Sequence, residues 1–266
     1  MGRRDFSTVY TDVSEAAGWR GTMHKDENCP LPWQQEPAYA KLHYFSLSMI
    51  RIDYMHTFHL GVGRDLVGSA LKIIATGKHW FPGRNINARL QQIVAAVRIF
   101  AKQMKKQVSI KKLSTNSLGW ADCPEFKGSA ADTAIFLSWL ASFLLEKPPP
   151  PPYDGLAGVV WVANHICEFL FGCGCFLSDE AWEQTAVLSK LFFTGYLSLA
   201  TTAHEAGKLL FRMRPKFHFL QHLLEGHGGR RNPVYDACFM DEDFVRWSMK
   251  MFRKCSHTNA SCNVLK

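Results

Sequence analysis

An aspartate, a histidine three residues on and a second histidine three further open the segment with the most chemical potential, Asp53-Tyr54-Met55-His56-Thr57-Phe58-His59. A carboxylate and two imidazoles at this spacing could share a metal ion. The same Asp53 also suits a helix cap, its oxygens taking up the free N–H groups of the first turn, and spacing alone favours the cap. Gly61 and Gly63 follow, but without the Lys-Ser/Thr ending of a phosphate loop or the third glycine of a dinucleotide fingerprint. A second segment, Arg212-Met213-Arg214-Pro215-Lys216-Phe217-His218-Phe219-Leu220-Gln221-His222, sets two histidines four apart, on one helical face. Position 219 is Phe where a zinc protease motif needs Glu, so packed or hydrogen-bonded histidines are the expectation. A third, Met240-Asp241-Glu242-Asp243-Phe244, places three acids before the bases Arg246, Lys250, Arg253 and Lys254. That order complements a helix dipole, and it also offers carboxylates to a hard cation. His165, Cys167, Cys173 and Cys175, like Cys255, His257 and Cys262, lack the paired C-x-x-C spacing of a zinc site, so buried free thiols are expected in the first group and zinc in neither.

The elements that must carry these groups are mostly helices. Residues 42–52 (LHYFSLSMIRI) are rich in aromatic and β-branched side chains and predict one extended strand ending at Asp53. A helical period runs from His56 to Thr76 and stops at Gly77, Pro82 and Gly83. With Asn85 as N-cap, Ile86, Leu90, Ile93, Val94, Val97, Ala101 and Met104 then line one face. Arg98, Lys102, Lys105 and Lys106 occupy the opposite face. Further helices are predicted at 130–146, 156–176, 179–206 with Ser178 as cap, 208–225 interrupted by Pro215, and 241–254; a second strand fits 234–240. Residues 1–41 read as irregular, Pro148 to Pro152 as a rigid connector between helices, and 255–266 as a polar tail. The apolar stretch 155–177 is long enough to span a bilayer, but Asn164, His165 and Glu168 at its middle and acids after it make it a buried helix.

Composition narrows the partners. An apolar fraction of 47% over 266 residues supports a real core and excludes disorder. Eight cysteines are too few for a disulfide scaffold and imply reduced thiols in an intracellular protein. The net charge is +8, and between Lys78 and Lys112 nine Lys or Arg stand with no Asp or Glu. An acid-free basic run is either a solvated helix face or a contact for nucleic-acid phosphates.

The order of motifs resembles one family. Asp-x-x-His followed by Leu-Gly-Val (Asp53 to Val62), Pro-Glu-Phe-Lys-Gly-Ser-Ala-Ala (124–131), Pro-Lys-Phe-His-Phe-Leu-Gln-His-Leu (215–223) and a helix opening with Glu242 are similar to the catalytic region of CACTA-type (En/Spm-like) DDE transposases. The resemblance covers about 42–254. It implies a mainly α fold: a helical bundle, inserted at about 57–225, attached to a partial RNase H-like strand core. It implies DNA strand cleavage and transfer with Mg²⁺ or Mn²⁺ on Asp53 and Glu242, His56 buttressing the site, and Arg98, Lys102, Lys105, Lys106 and Lys216 contacting DNA, in a nuclear protein able to self-associate and with no membrane role. The family's first catalytic Asp belongs on an earlier strand, which residues 1–41 do not offer; Asp5, Asp12 and Asp26 are poor candidates. A fragment or decayed copy is therefore expected, and the alternative function is a non-catalytic helical nucleic-acid-binding or interaction protein of the same descent.

Overall fold

A computed structural model describes residues 11–22, 35–46, 49–225 and 230–253. Seven α-helices dominate it: α1 (Gly63–Thr76), α2 (Ile86–Gln103), α3 (Ala130–Glu146), α4 (Leu156–Gly172), α5 (Asp179–Glu205), α6 (Pro215–Glu225) and α7 (Phe239–Phe252). A π-helix, Met55–Val62, runs directly into α1.

The helix starts follow local chemistry. Asn85 accepts from Ala88 N–H at 2.9 Å and Ser178 from Ala181 N–H at 3.2 Å, as their sequence positions predict. Ser129 and Asp132 close a capping box at the start of α3, and Asp132 also receives Ser109 N–H at 2.8 Å. α6 begins at Pro215, where the missing N–H costs nothing, so Pro215 starts a helix instead of interrupting one. α4 ends at Gly172, four residues early, where Cys173 turns extended and Asn232 Nδ2 donates to the Leu170 carbonyl at 2.7 Å. No helix among the described residues is long and apolar enough to cross a membrane.

α3 packs on α4 and α4 on α5, while α1 lies against α2, α3 and the π-helix. α6 closes the bundle between α5 and the π-helix. The core runs through Tyr54, Phe58, Leu66, Phe136, Phe192, Phe193, Tyr196 and Phe217, all essentially inaccessible. Phe217 sits 5.1 Å from Phe193 and 5.2 Å from Tyr196, so α6 is anchored by aromatic packing worth about 3–5 kcal/mol at that one side chain.

The expected strand core does not form: no strand occurs among the described residues, only an isolated antiparallel bridge between Phe176 and Arg231. Residues 42–46 make turns, with Tyr44 at φ 66°, and 50–53 run without regular structure. Leu42, Tyr44, Met49 and Ile50 are exposed. β-propensity reflects fit to a pleated, half-buried surface, and among the described residues no neighbouring strand supplies one. The other strand expected, 234–240, is instead a 3-10 turn, Pro233–Asp236, followed by the start of α7.

Candidate metal-binding junction

Asp53 ends the irregular segment and meets the first turn of the π-helix. Its Oδ1 accepts from Met55 N–H at 3.0 Å and its Oδ2 from His56 N–H at 3.1 Å, the capping role that spacing favoured. The same carboxylate reaches 185 residues along the chain. Cys238, just before α7, donates its backbone N–H to Oδ1 at 3.1 Å and its thiol to Oδ2 at 2.9 Å. His56 Nδ1 pairs with Asp53 Oδ2 and lies 3.3 Å from the Cys238 sulfur. One carboxylate thus ties the entry of the π-helix to the entry of α7. Burial pushes the Asp53 carboxyl up, but the hydrogen bonds from Cys238 and His56 outweigh it and hold it below its ordinary value.

Beyond the junction the π-helix is broken at a defined point. Leu60 (φ −97°, ψ 16°) and Gly61 (φ −134°, ψ −106°) leave helical space, and the freed Leu60 carbonyl accepts from Lys216 Nζ at 3.0 Å. The lysine stem crosses Gly61 so closely that a Cβ there would meet Lys216 Cδ at 2.7 Å and the His56 carbonyl oxygen at 3.0 Å. Lys216, a candidate DNA contact, is therefore half-buried and engaged within the protein.

A second polar node sits one helix turn on. Buried Asp65 receives Arg214 in a two-pronged pair at 2.9 and 2.6 Å. Arg214 also lies 3.6 Å from Glu125, which faces Arg64 at 3.8 Å, and Arg64 donates to the Gly128 carbonyl at 2.7 Å. Burial pushes the Asp65 carboxyl up to about 6 against the pull of Arg214. The three motif segments around 53–65, 124–131 and 214–223 are thus one packed unit.

Compared with known protein families, with curated proteins and with solved structures, the chain gives no match.

The sequence candidates divide accordingly. Asp53 and His56 meet, with Cys238 as an unforeseen third member, and their donor atoms lie within 4.8 Å of one another. His59 is not part of that cluster: it is buried beside Tyr54, Phe58 and Phe239, with both ring nitrogens unpartnered among the described residues. Glu242 lies in the first turn of α7, and its side chain falls outside the described residues. His218 and His222 bond each other at 2.9 Å and pack against Trp19, the expected fate. Cys167 is buried, its thiol pushed up to about 12 by desolvation and bonded to Tyr54 at 3.4 Å. The Cys255, His257 and Cys262 group lies outside the described residues.

Of the basic run, Arg89 is buried and holds the Ala75 carbonyl at 2.6 Å; the other eight residues are exposed. α2 ends at Gln103, so only Arg98 and Lys102 share its face. Lys105 takes the left-handed position that terminates it, at φ 54°, and Lys106 N–H caps the Ala101 carbonyl at 2.8 Å. The chain then turns back along α2. Arg98 bonds the Ile110 carbonyl, Gln91 the Leu113 carbonyl and Asn87 the Thr115 N–H at 3.0, 2.6 and 2.9 Å. Lys111 and Lys112 are thereby laid beside the helix.

A hard Mg²⁺ or Mn²⁺ ion wants an oxygen cage. Among the described side chains the junction offers one carboxylate, one imidazole and one thiol, which by themselves do not make an oxygen cage; the Glu242 side chain lies outside them.

Proposed function

We propose that this chain is a non-catalytic, helical nucleic-acid-binding protein of transposase descent. The observation that carries the reading is the basic ridge. Lys102, Lys105, Lys106, Lys111 and Lys112 are exposed, no acid lies between them in sequence, and the return of the chain along α2 gathers them. Such a ridge neutralises phosphates without reading bases, so binding is weak, sequence-independent and salt-sensitive. The lack of a strand core among the described residues favours this reading over metal-dependent strand cleavage.

The test is the salt dependence of duplex DNA binding, read by fluorescence anisotropy. Arg98 is spared because its guanidinium orders the Ile110 turn. Replacing Lys102, Lys105 and Lys106 together by Gln should flatten the log–log salt slope by up to about 3, near 0.9 for each phosphate no longer neutralised. Stability should change by no more than about 0.5 kcal/mol per site. An unchanged slope in a folded variant makes this ridge a solvated surface and removes the proposal's support.

A further inference from the structure

We infer that Asp53, His56 and Cys238 form a binding site for a single borderline transition-metal ion, Zn²⁺ being the natural occupant, which clamps the start of α7 to the π-helix. The inference is independent of nucleic-acid binding. It rests on three donors of different hardness brought to one point from elements far apart in sequence. The Cys238 sulfur lies 2.9 Å from Asp53 Oδ2 and 3.3 Å from His56 Nδ1, and all three donor atoms fall within 4.8 Å. A tetrahedral Zn²⁺ bound at ~2.0–2.3 Å sets its donors roughly 3.4–3.8 Å apart. The cluster therefore needs only modest opening to admit an ion. The side chain best placed to move is His56, 42% exposed, whereas Asp53 is 24% exposed and pinned by backbone N–H groups.

The chemistry selects the metal. Imidazole and thiolate suit Zn²⁺ and its tetrahedral mimic Co²⁺, and a mixed O, N, S set is poor for Mg²⁺. Three donors come from the described residues, and a tetrahedral ion takes a fourth. The existing bonds of the Asp53 carboxylate to Met55 and Cys238 N–H groups would orient it toward the ion, the role that outer hydrogen bonds play at zinc sites. On binding, three waters of the hydrated ion give way to the Asp53 oxygen, the His56 nitrogen and the Cys238 sulfur; the thiol proton passes to solvent, and the hydrogen bonds of the thiol and of His56 Nδ1 to Asp53 Oδ2 are exchanged for metal bonds.

The full chain is purified free of metal and titrated with Co²⁺. The expected result is one equivalent bound, with a sulfur-to-cobalt charge-transfer band and the visible absorption of tetrahedral Co²⁺, displaced by Zn²⁺ and untouched by millimolar Mg²⁺. Cys238→Ser, which keeps the backbone bond to Asp53, abolishes the charge-transfer band, and His56→Ala weakens binding at least about 10-fold. At about 100 times its Kd, Zn²⁺ raises the melting temperature by roughly 5–10 °C. A measurement on the unaltered chain guards against misfolded variants. Zn²⁺ should slow alkylation of Cys238, followed by peptide mass spectrometry, while leaving half-buried Cys123 as an internal reference. A band that survives in folded Cys238→Ser assigns the ion to another thiol and overturns the inference. So does Cys238 alkylation that Zn²⁺ leaves unchanged, or protection by Mg²⁺ in its place.

Discussion

Acid should find His59 before it finds most of this protein. His59 is 2% exposed, and both its ring nitrogens lie in an aromatic nest without a partner among the described residues. Burial lowers its pKa from 6.5 to about 4, against a smaller upward pull from the Asp53 charge. The folded value lies below the unfolded one, so between about pH 4 and 6.5 the unfolded chain holds a proton that the folded chain refuses. The neutral imidazole's contribution is complete above that window and is lost as pH falls through it, by about 1.4 kcal/mol per pH unit at most. At pH 5 the loss relative to neutral pH is about 2 kcal/mol, and across the window about 3 kcal/mol. Asp65 works in the opposite sense: its carboxyl, raised to about 6, favours the folded state on acidification. The informative quantity is thus the difference between two chains and not one absolute curve. His59→Leu removes the titration and two buried polar atoms, so it should be at least as stable as the parent at pH 7. On moving to pH 5, its urea midpoint should gain on the parent by about 0.7–1 M, taking a slope of roughly 2–3 kcal/mol per M. Parallel stability curves for the two chains from pH 7 to 5 would refute the reasoning, since His59 would then protonate equally well in both states.

Two further outcomes follow from the polar nodes. Arg214→Met leaves Asp65 buried without its partner and should cost about 3–5 kcal/mol by urea denaturation at pH 7; adding Asp65→Asn should recover much of that loss, and full additivity of the two changes would contradict the pairing. Gly61→Ala drives a methyl group into Lys216 Cδ and the His56 carbonyl, for an expected loss of about 1–3 kcal/mol. Shortening the lysine with Lys216→Ala should relieve part of that clash, so the double variant is less destabilised than the sum of the singles.

Helix type and most helix starts were legible because they rest on local signals. Asn85, Ser129 and Ser178 cap through their own side chains, and α2, α3 and α5 begin within a residue of the sequence expectation. The strand at 42–52 was misread because strand formation is a property of a pair, and composition cannot supply the partner. Half of the candidate junction was also visible: Asp53 and His56 are three apart and share a turn. Cys238 carried no signal, being a lone cysteine outside any spaced group, and only the tertiary approach of α7 gives it a role. The Asp65–Arg214–Glu125 node was missed for the same reason, although an unpaired acid in the apolar stretch after Val62 hinted that a base must come from elsewhere. The end of α2 was read too late because the left-handed turn falls on Lys105, where glycine is the usual marker.

The centre of this fold is built from partners that are born far apart. The π-helix needs α6, whose Lys216 stands 156 residues after Leu60, and it needs Cys238 still later. At synthesis rates of about 5–20 residues per second, the nascent π-helix waits roughly 10–30 s for α6 to emerge. During that interval Tyr54, Phe58 and Leu66 have no complete surface to bury against. The chain therefore finishes its centre only after α6 and Cys238 have been made, and the unfinished surface must be shielded from aggregation while it waits.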